Sequence, residues 1–216
     1  MITLKAILSM TYDEYSKYLQ TKYGLAPMSY FADDTYTTKN LKQISRAKHG
    51  LGIHHFDEDR YDNLMDPFFI KKNKAPFYYQ TPTRLVYADM IEHLLLHIKI
   101  MEDFKPKASW VDYVNYELKD MIMTINDLYD SYFKNAQSDK KSVQTNWLRK
   151  ILPKFDSYIL ILKYICMNFL TKDSDKFELC FTHNDVSMYI LKKLFSRDIE
   201  DKQYRTKILD STNADL

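Results

Sequence analysis

"RLVYADMIEHLLLHIKIMED", residues 84 to 103, contains the change of rhythm on which the fold turns. Its opening "RLVYA" is rich in branched and aromatic residues, the composition of a strand. Asp89 follows, with Glu92 three residues on, the pairing by which one acid caps a helix and a second reaches back to the cap. "MIEHLLLHIKIMED" then continues as a helix, so a strand passes straight into a helix. On that helix His93 and His97 lie four apart and share one face, where both imidazoles can aim at a single point. Leu94, Leu95, Leu96 and Ile98 flank them and would hold the helix rigidly on a core. Taken alone, such a pair also suits two partly buried histidines with ordinary hydrogen bonds.

Upstream, "GLGIHHFDEDRYDNL" (50 to 64) holds a second short strand-like run, "LGIHHF", carrying His54 and His55. Adjacent strand residues point to opposite faces, so at most one of the two reaches a given site unless the strand end is distorted. The 27 residues between the runs, "DEDRYDNLMDPFFIKKNKAPFYYQTPT", hold three prolines and no convincing period, which reads as a long irregular loop of the functional or mobile kind. The order is therefore β, β, α, with four of the chain's six histidines able to converge. Earlier still, "TYDEYSKYLQTKYG" reads as a helix capped by Thr11 with Glu14 and ended by Gly24, and "TTKNLKQISRAKHG" as a second helix ending at Gly50. "GLAPMSYFADD" between them is a loop.

Beyond residue 103, "FKPKAS" breaks the helix, "WVDYVNYELKDMIMTINDLYDSYF" (110 to 133) resumes one, and "KNAQSDKKS" (134 to 142) is a polar turn. "TNWLRKILPKFDSYILILKYICMNFL" (145 to 170) is helical with a break near Pro153, and "DVSMYILKKLFSRDIE" (185 to 200) is a last helical element. The expected class is α+β and predominantly helical, with a portion from 1 to 105 and a helical portion from 106 to 216 that shares its core or stands beside it. With 216 residues, 18 tyrosines, 12 phenylalanines and only 3 glycines, the chain can build an aromatic core without staples. Cys166 and Cys180 form no CxxC pair and sit among apolar residues, as reduced buried thiols do. No leader pattern opens the chain, and Lys163 interrupts the apolar run 158 to 170 short of a membrane span, so the expectation is a cytoplasmic protein.

The segments "GIHHF", "DNLM", "RLVYA" and "IEHLLLH" together resemble the HNH, or ββα-metal, endonuclease superfamily over roughly residues 48 to 100. That resemblance implies a ββα-metal nuclease core at about 50 to 103, with added N-terminal and C-terminal helices. It implies His54, His93 and His97 as ligands of a divalent ion (Mg, Mn, Ni or Zn) and His55 as general base, with Asn63 orienting that base. About 29 residues separate Asn63 from His93, more than in many members. Gln80, or an acid near His55, is then the substitute for Asn63. Asp57, Glu58 and Asp59 either join or orient the site or form a solvated acidic turn.

Thirty-one lysines and arginines against 29 acids leave no strong net field, so affinity for a polyanion must be local. Lys42, Arg46 and Lys48 before the site, and Lys71, Lys72, Lys74 and Arg84 in the long loop, are the candidate nucleic-acid contacts, with Phe77, Tyr78 and Tyr79 as stacking candidates. A lysine-rich surface without a ligand has the same appearance. Three functions follow as expectations: a metal-dependent DNA endonuclease, a toxin-like nuclease of the same fold cutting RNA, or a zinc-stabilised nucleic-acid-binding module without catalysis. A homodimer would suit cleavage of both strands, although nothing in the sequence marks a dimer face.

Overall fold

The structure, a computed structural model of the 216-residue chain, describes residues 2–61, 63–103, 118–134 and 143–169. The chain falls into two compact units, one spanning Thr11–Asp103 and the other holding Met1–Met10 with Phe104–Leu216. The described residues are mostly helical, with one two-stranded antiparallel sheet, so the class is α+β.

In the Thr11–Asp103 unit, helix α2 (Tyr12–Tyr23) starts where its cap dictates. The Thr11 hydroxyl accepts from the Glu14 amide, and the Glu14 carboxylate accepts from the Thr11 amide at 2.8 Å. A short helix in the other unit, α1 (Leu4–Leu8), precedes it. The expected helix over 37 to 50 is only one turn, α3 (Leu41–Ile44), followed by a 3-10 turn at Ala47–His49. Ser45 stops it: its backbone is extended, and its hydroxyl accepts from the Ala47 amide at 3.3 Å, a local bond that competes with the helix. Gly50 ends the segment at φ 70, as its composition requires.

Strands β1 (Gly52–His55) and β2 (Leu85–Ala88) pair in the register Gly52↔Ala88, Ile53↔Tyr87, His54↔Val86 and His55↔Leu85. The segment between them is more ordered than an irregular loop. Asp66 caps helix α4 (Pro67–Asn73), accepting from the Phe68 amide at 2.8 Å, and Pro67 takes the first helical position, where its missing N–H costs nothing. Two 3-10 turns, Phe77–Gln80 and Pro82–Arg84, then lead into β2. Helix α5 (Met90–Asp103) follows at once. Asp89 accepts from the Ile91 and Glu92 amides at 3.0 and 3.1 Å, and Glu92 accepts from the Asp89 amide at 2.9 Å.

Helix α2 packs on β2 and α5, and α5 packs on both strands. The other face of the ribbon is covered by an aromatic cluster that includes Tyr30, Phe31, Tyr36, Leu64, Ile70, Leu85 and Tyr87. Both faces of the strands are therefore buried, and His54 and His55 are each fully enclosed on opposite sides.

In the second unit, helices α6 (Lys119–Lys134), α7 (Val143–Ile151) and α8 (Phe155–Phe169) are joined in part by a 3-10 turn at Leu152–Lys154, where Pro153 breaks the helix as expected. Tyr129 donates to the Ile151 carbonyl at 2.7 Å and stacks on Tyr158, which donates to Asn126 Oδ1 at 2.8 Å. Burial pushes the Cys166 thiol on α8 up to about 12. The expectations at 104–109, 110–117, 135–142 and 185–200, and that for Cys180, lie outside the described residues. Among the described residues no helix is long and apolar enough to cross a membrane.

Candidate metal centre

His54, Glu58, His93 and His97 bring one ligand atom each to a common point, all within 4.8 Å of one another. Strand β1 supplies His54, α5 supplies the two histidines one turn apart, and the turn after β1 supplies Glu58. That turn is closed by the Glu58 amide on the His55 carbonyl at 3.1 Å, which folds the carboxylate back beneath the strand. His54 Nδ1 lies 3.1 Å from His93 Nε2 and 3.2 Å from Glu58 Oε2; His97 Nε2 lies 3.2 Å from His93 Nε2 and 3.8 Å from Glu58 Oε2. Metal–nitrogen bonds of about 2.0–2.1 Å at tetrahedral angles separate ligand atoms by roughly 3.3 Å, close to the three shorter of these distances, whereas His97 and Glu58 stand farther apart.

The direction of the hydrogen bond at His54 Nε2 follows from its partner. Tyr12, the first residue of α2, has its hydroxyl 2.7 Å from His54 Nε2 and 3.0 Å from the Phe56 carbonyl. A carbonyl only accepts, so the phenolic proton goes to Phe56, and the Tyr12 oxygen accepts from an N–H at His54 Nε2. Nδ1 is left facing two imidazole nitrogens and a carboxylate. Electron pairs so close together in a buried site repel unless a proton or a cation stands among them. The donor set, three imidazoles and one carboxylate, suits a divalent ion of the zinc, manganese or nickel kind, and the four residues could hold one. Glu58, 15% exposed, and His93 are the members nearest solvent.

Burial holds His93 well below the ordinary imidazole range, with help from His97 and His54. His97 is brought down to about 4, by burial first and then by His54, with Glu58 opposing. Burial alone would raise the Glu58 carboxyl, but attraction and hydrogen bonding from His54 in its protonated form, joined by attraction to protonated His97, bring it well below the usual carboxylate range. Both effects make the metal-free fold sensitive to acid. Below pH 6.5 histidines in the unfolded chain take up protons that His97 in the fold refuses until about 4, so stability falls as pH drops through that window. The expected loss is roughly 3 kcal/mol from His97, with the Glu58 contribution lost at still lower pH. Chemical denaturation at pH 7 and pH 4.5 with chelator present checks this, and equal stabilities would contradict it.

The other expected site residues separate into distinct roles. His55 points away from the cluster. Its Nε2 meets Gln80 Oε1 at 3.0 Å, its ring packs edge-on to Tyr30, and its Nδ1 is buried with no hydrogen bond, 3.6 Å from Glu58 Oε1. Glu58 thus touches both histidines, one with each oxygen. Asn63 is exposed in a left-handed conformation (φ 50), where its carbonyl accepts from the Asp66 amide, and Gln80 rather than Asn63 lies beside His55. Asp57 is buried against Arg84 in a two-pronged ion pair, and half-buried Asp59 pairs with Arg60 at 3.5 Å, so of the three acids only Glu58 joins the cluster.

Arg84 is committed to Asp57 and lies over the Phe56 ring at 4.1 Å. Arg46 lies over Tyr87 at 4.0 Å and donates to the Tyr23 carbonyl. Neither guanidinium projects as a free cation, whereas Lys42, Lys48, Lys71, Lys72 and Lys74 are exposed. Tyr12 is the residue beside the cluster that sequence reasoning misses. It lies 42 residues before His54, and no local pattern ties it to the site. No protein-family model matches the chain, and no curated protein or solved structure matches it either.

Proposed function

We propose that the chain is a metal-dependent nuclease of the HNH, or ββα-metal, type that hydrolyses phosphodiester bonds in DNA. The observation that carries this reading is the pairing of a four-ligand cluster with a second buried histidine across a shared carboxylate: His54, Glu58, His93 and His97 on one side, His55 on the other. The order β1, β2, α5 supports it, since that is the ββα order the family resemblance calls for.

The chemistry a bound divalent ion would supply is neutralisation of the charge that builds on the scissile phosphate and the leaving 3′ oxygen. His55 takes the proton of the attacking water at Nδ1, a nitrogen enclosed beside Glu58, so that carboxylate must shift to admit the water; the water oxygen then bonds to phosphorus while the bond to the 3′ oxygen breaks. Glu58 ties the two parts together, because a shift of its carboxylate moves both the cluster and the base. The exposed lysines of residues 42–48 and 71–74 supply phosphate contacts, and one site of this kind cuts one strand.

Supercoiled plasmid and, separately, RNA are incubated with purified protein and Mg, Mn, Ni or Zn. The expected result is plasmid nicking with at least one ion, slowed about 100-fold by His55→Ala at unchanged metal affinity. Preferential cutting of RNA moves the substrate class to RNA. No cutting with any ion, together with cooperative unfolding on chelation, replaces the nuclease by a zinc-stabilised nucleic-acid-binding module.

A further inference from the structure

We infer that Gln80 decides which nitrogen of His55 carries its proton, leaving Nδ1 as the acceptor; the use of that acceptor in catalysis rests on the nuclease reading above. Gln80 is fully buried at the end of the first of the two 3-10 turns that precede β2. Its Nε2 lies 3.1 Å from the Leu64 carbonyl, and a carbonyl can only accept, so the amide nitrogen must face it. The amide oxygen is then directed at His55 Nε2, 3.0 Å away. Two lone pairs cannot share that buried gap, so Nε2 carries the hydrogen. A neutral imidazole has one ring proton, and Nδ1 is therefore bare.

The arrangement works against a pull from the other side. The closest carboxylate to Nδ1 is Glu58 Oε1, at 3.6 Å, and a proton on Nδ1 would be drawn to it. That tautomer would turn the nitrogen facing Glu58 into a donor, unable to take a proton. Gln80 prevents this from a rigid seat: its own carbonyl accepts from the Tyr30 amide at 2.8 Å, and the Tyr30 ring lies edge-on to His55 with centroids 4.9 Å apart. Rotating the imidazole by half a turn would place carbon against the Gln80 oxygen. The residue is a positioning residue, acting on the reaction through His55.

Long-range proton–nitrogen correlation spectra of histidine-labelled protein, recorded with and without zinc, test the assignment directly. The expected wild-type spectrum has the His55 proton on Nε2 and a bare Nδ1; a proton on Nδ1 overturns the inference without any variant. Q80M, which keeps the volume and removes both polar atoms, is expected to transfer the proton to Nδ1. Q80E, which keeps an oxygen in place, is expected to return it to Nε2. An unchanged tautomer in folded Q80M overturns the role of Gln80. Nicking by Q80M is expected to fall about 100-fold at unchanged zinc affinity, a change that mere loosening of the fold would not combine with a tautomer switch. The spectra are read without substrate, so an inactive wild-type protein sinks the nuclease reading and leaves the tautomer result to be decided separately.

Discussion

Titrating a divalent ion to about 1,000 times its dissociation constant is expected to stabilise the fold by about 4 kcal/mol, and His93→Ala is expected to remove nearly all of that gain. The reason lies in what the four groups do to one another when nothing positive is held among them. His54 Nδ1 lies 3.1 Å from His93 Nε2 and 3.2 Å from Glu58 Oε2, and burial strips these groups of the water that would otherwise separate their charge. Protons must be held there, or charge must be left unbalanced, and an ion replaces both while releasing protons to the solvent. Deleting the His93 ring, the half-buried one, opens the cluster to water and relieves the crowding. The metal-free variant should therefore be about as stable as the metal-free wild type, and the difference should appear only on adding the ion. Calorimetric titration with zinc and with manganese, in two buffers of different ionisation enthalpy, reads the stoichiometry and proton release together. A wild-type protein that binds no ion at micromolar concentration would refute the centre.

Arg84→Met is expected to cost about 3–5 kcal/mol although it lies outside the ligand set. Asp57 is fully buried, and Arg84 is its partner through both guanidinium nitrogens that face it. Methionine fills much of the stem volume but leaves the carboxylate without a counter-charge in a place water does not reach. Replacing both members, as Asp57→Leu with Arg84→Met, should recover most of the loss, because no uncompensated charge then remains. Urea denaturation of the two variants decides it; a single variant within 1 kcal/mol of wild type would show that the pair is dispensable. The salt dependence of any DNA binding should be unaltered by the double replacement, since Arg84 is engaged within the fold.

The elements with local causes were legible. The capping pairs Thr11/Glu14 and Asp89/Glu92, the branched run at 85–88 and Pro153 each act through neighbours in sequence, and each appears where its chemistry requires. Helix α4 is not legible from periodicity, because seven residues are too few to show a period; its local sign is the Asp66–Pro67 start. The helix expected over 37–50 failed at Ser45, where a hydroxyl-to-amide bond outweighs a propensity that is weak per residue. In the site, His93 and His97 were legible from their spacing and Glu58 only as one of three acids. What separates Glu58 from Asp57 is a turn that directs one carboxylate under the strand and the other to Arg84. Asn63, Arg46 and Arg84 were assigned by residue type, and their backbone conformation and packing assign them elsewhere.

The hydroxyl of Tyr12 bears on whether the site can be transplanted. A graft of residues 50–103 would carry every ligand, Gln80 and both strands, yet it would leave behind the phenol that sets His54. The freed imidazole would rotate or exchange its proton between nitrogens, and the ligand atom would no longer be ready. Readiness of His54 as a ligand therefore depends on the packing of helix α2 against the ribbon, which joins segments from both ends of the Thr11–Asp103 unit.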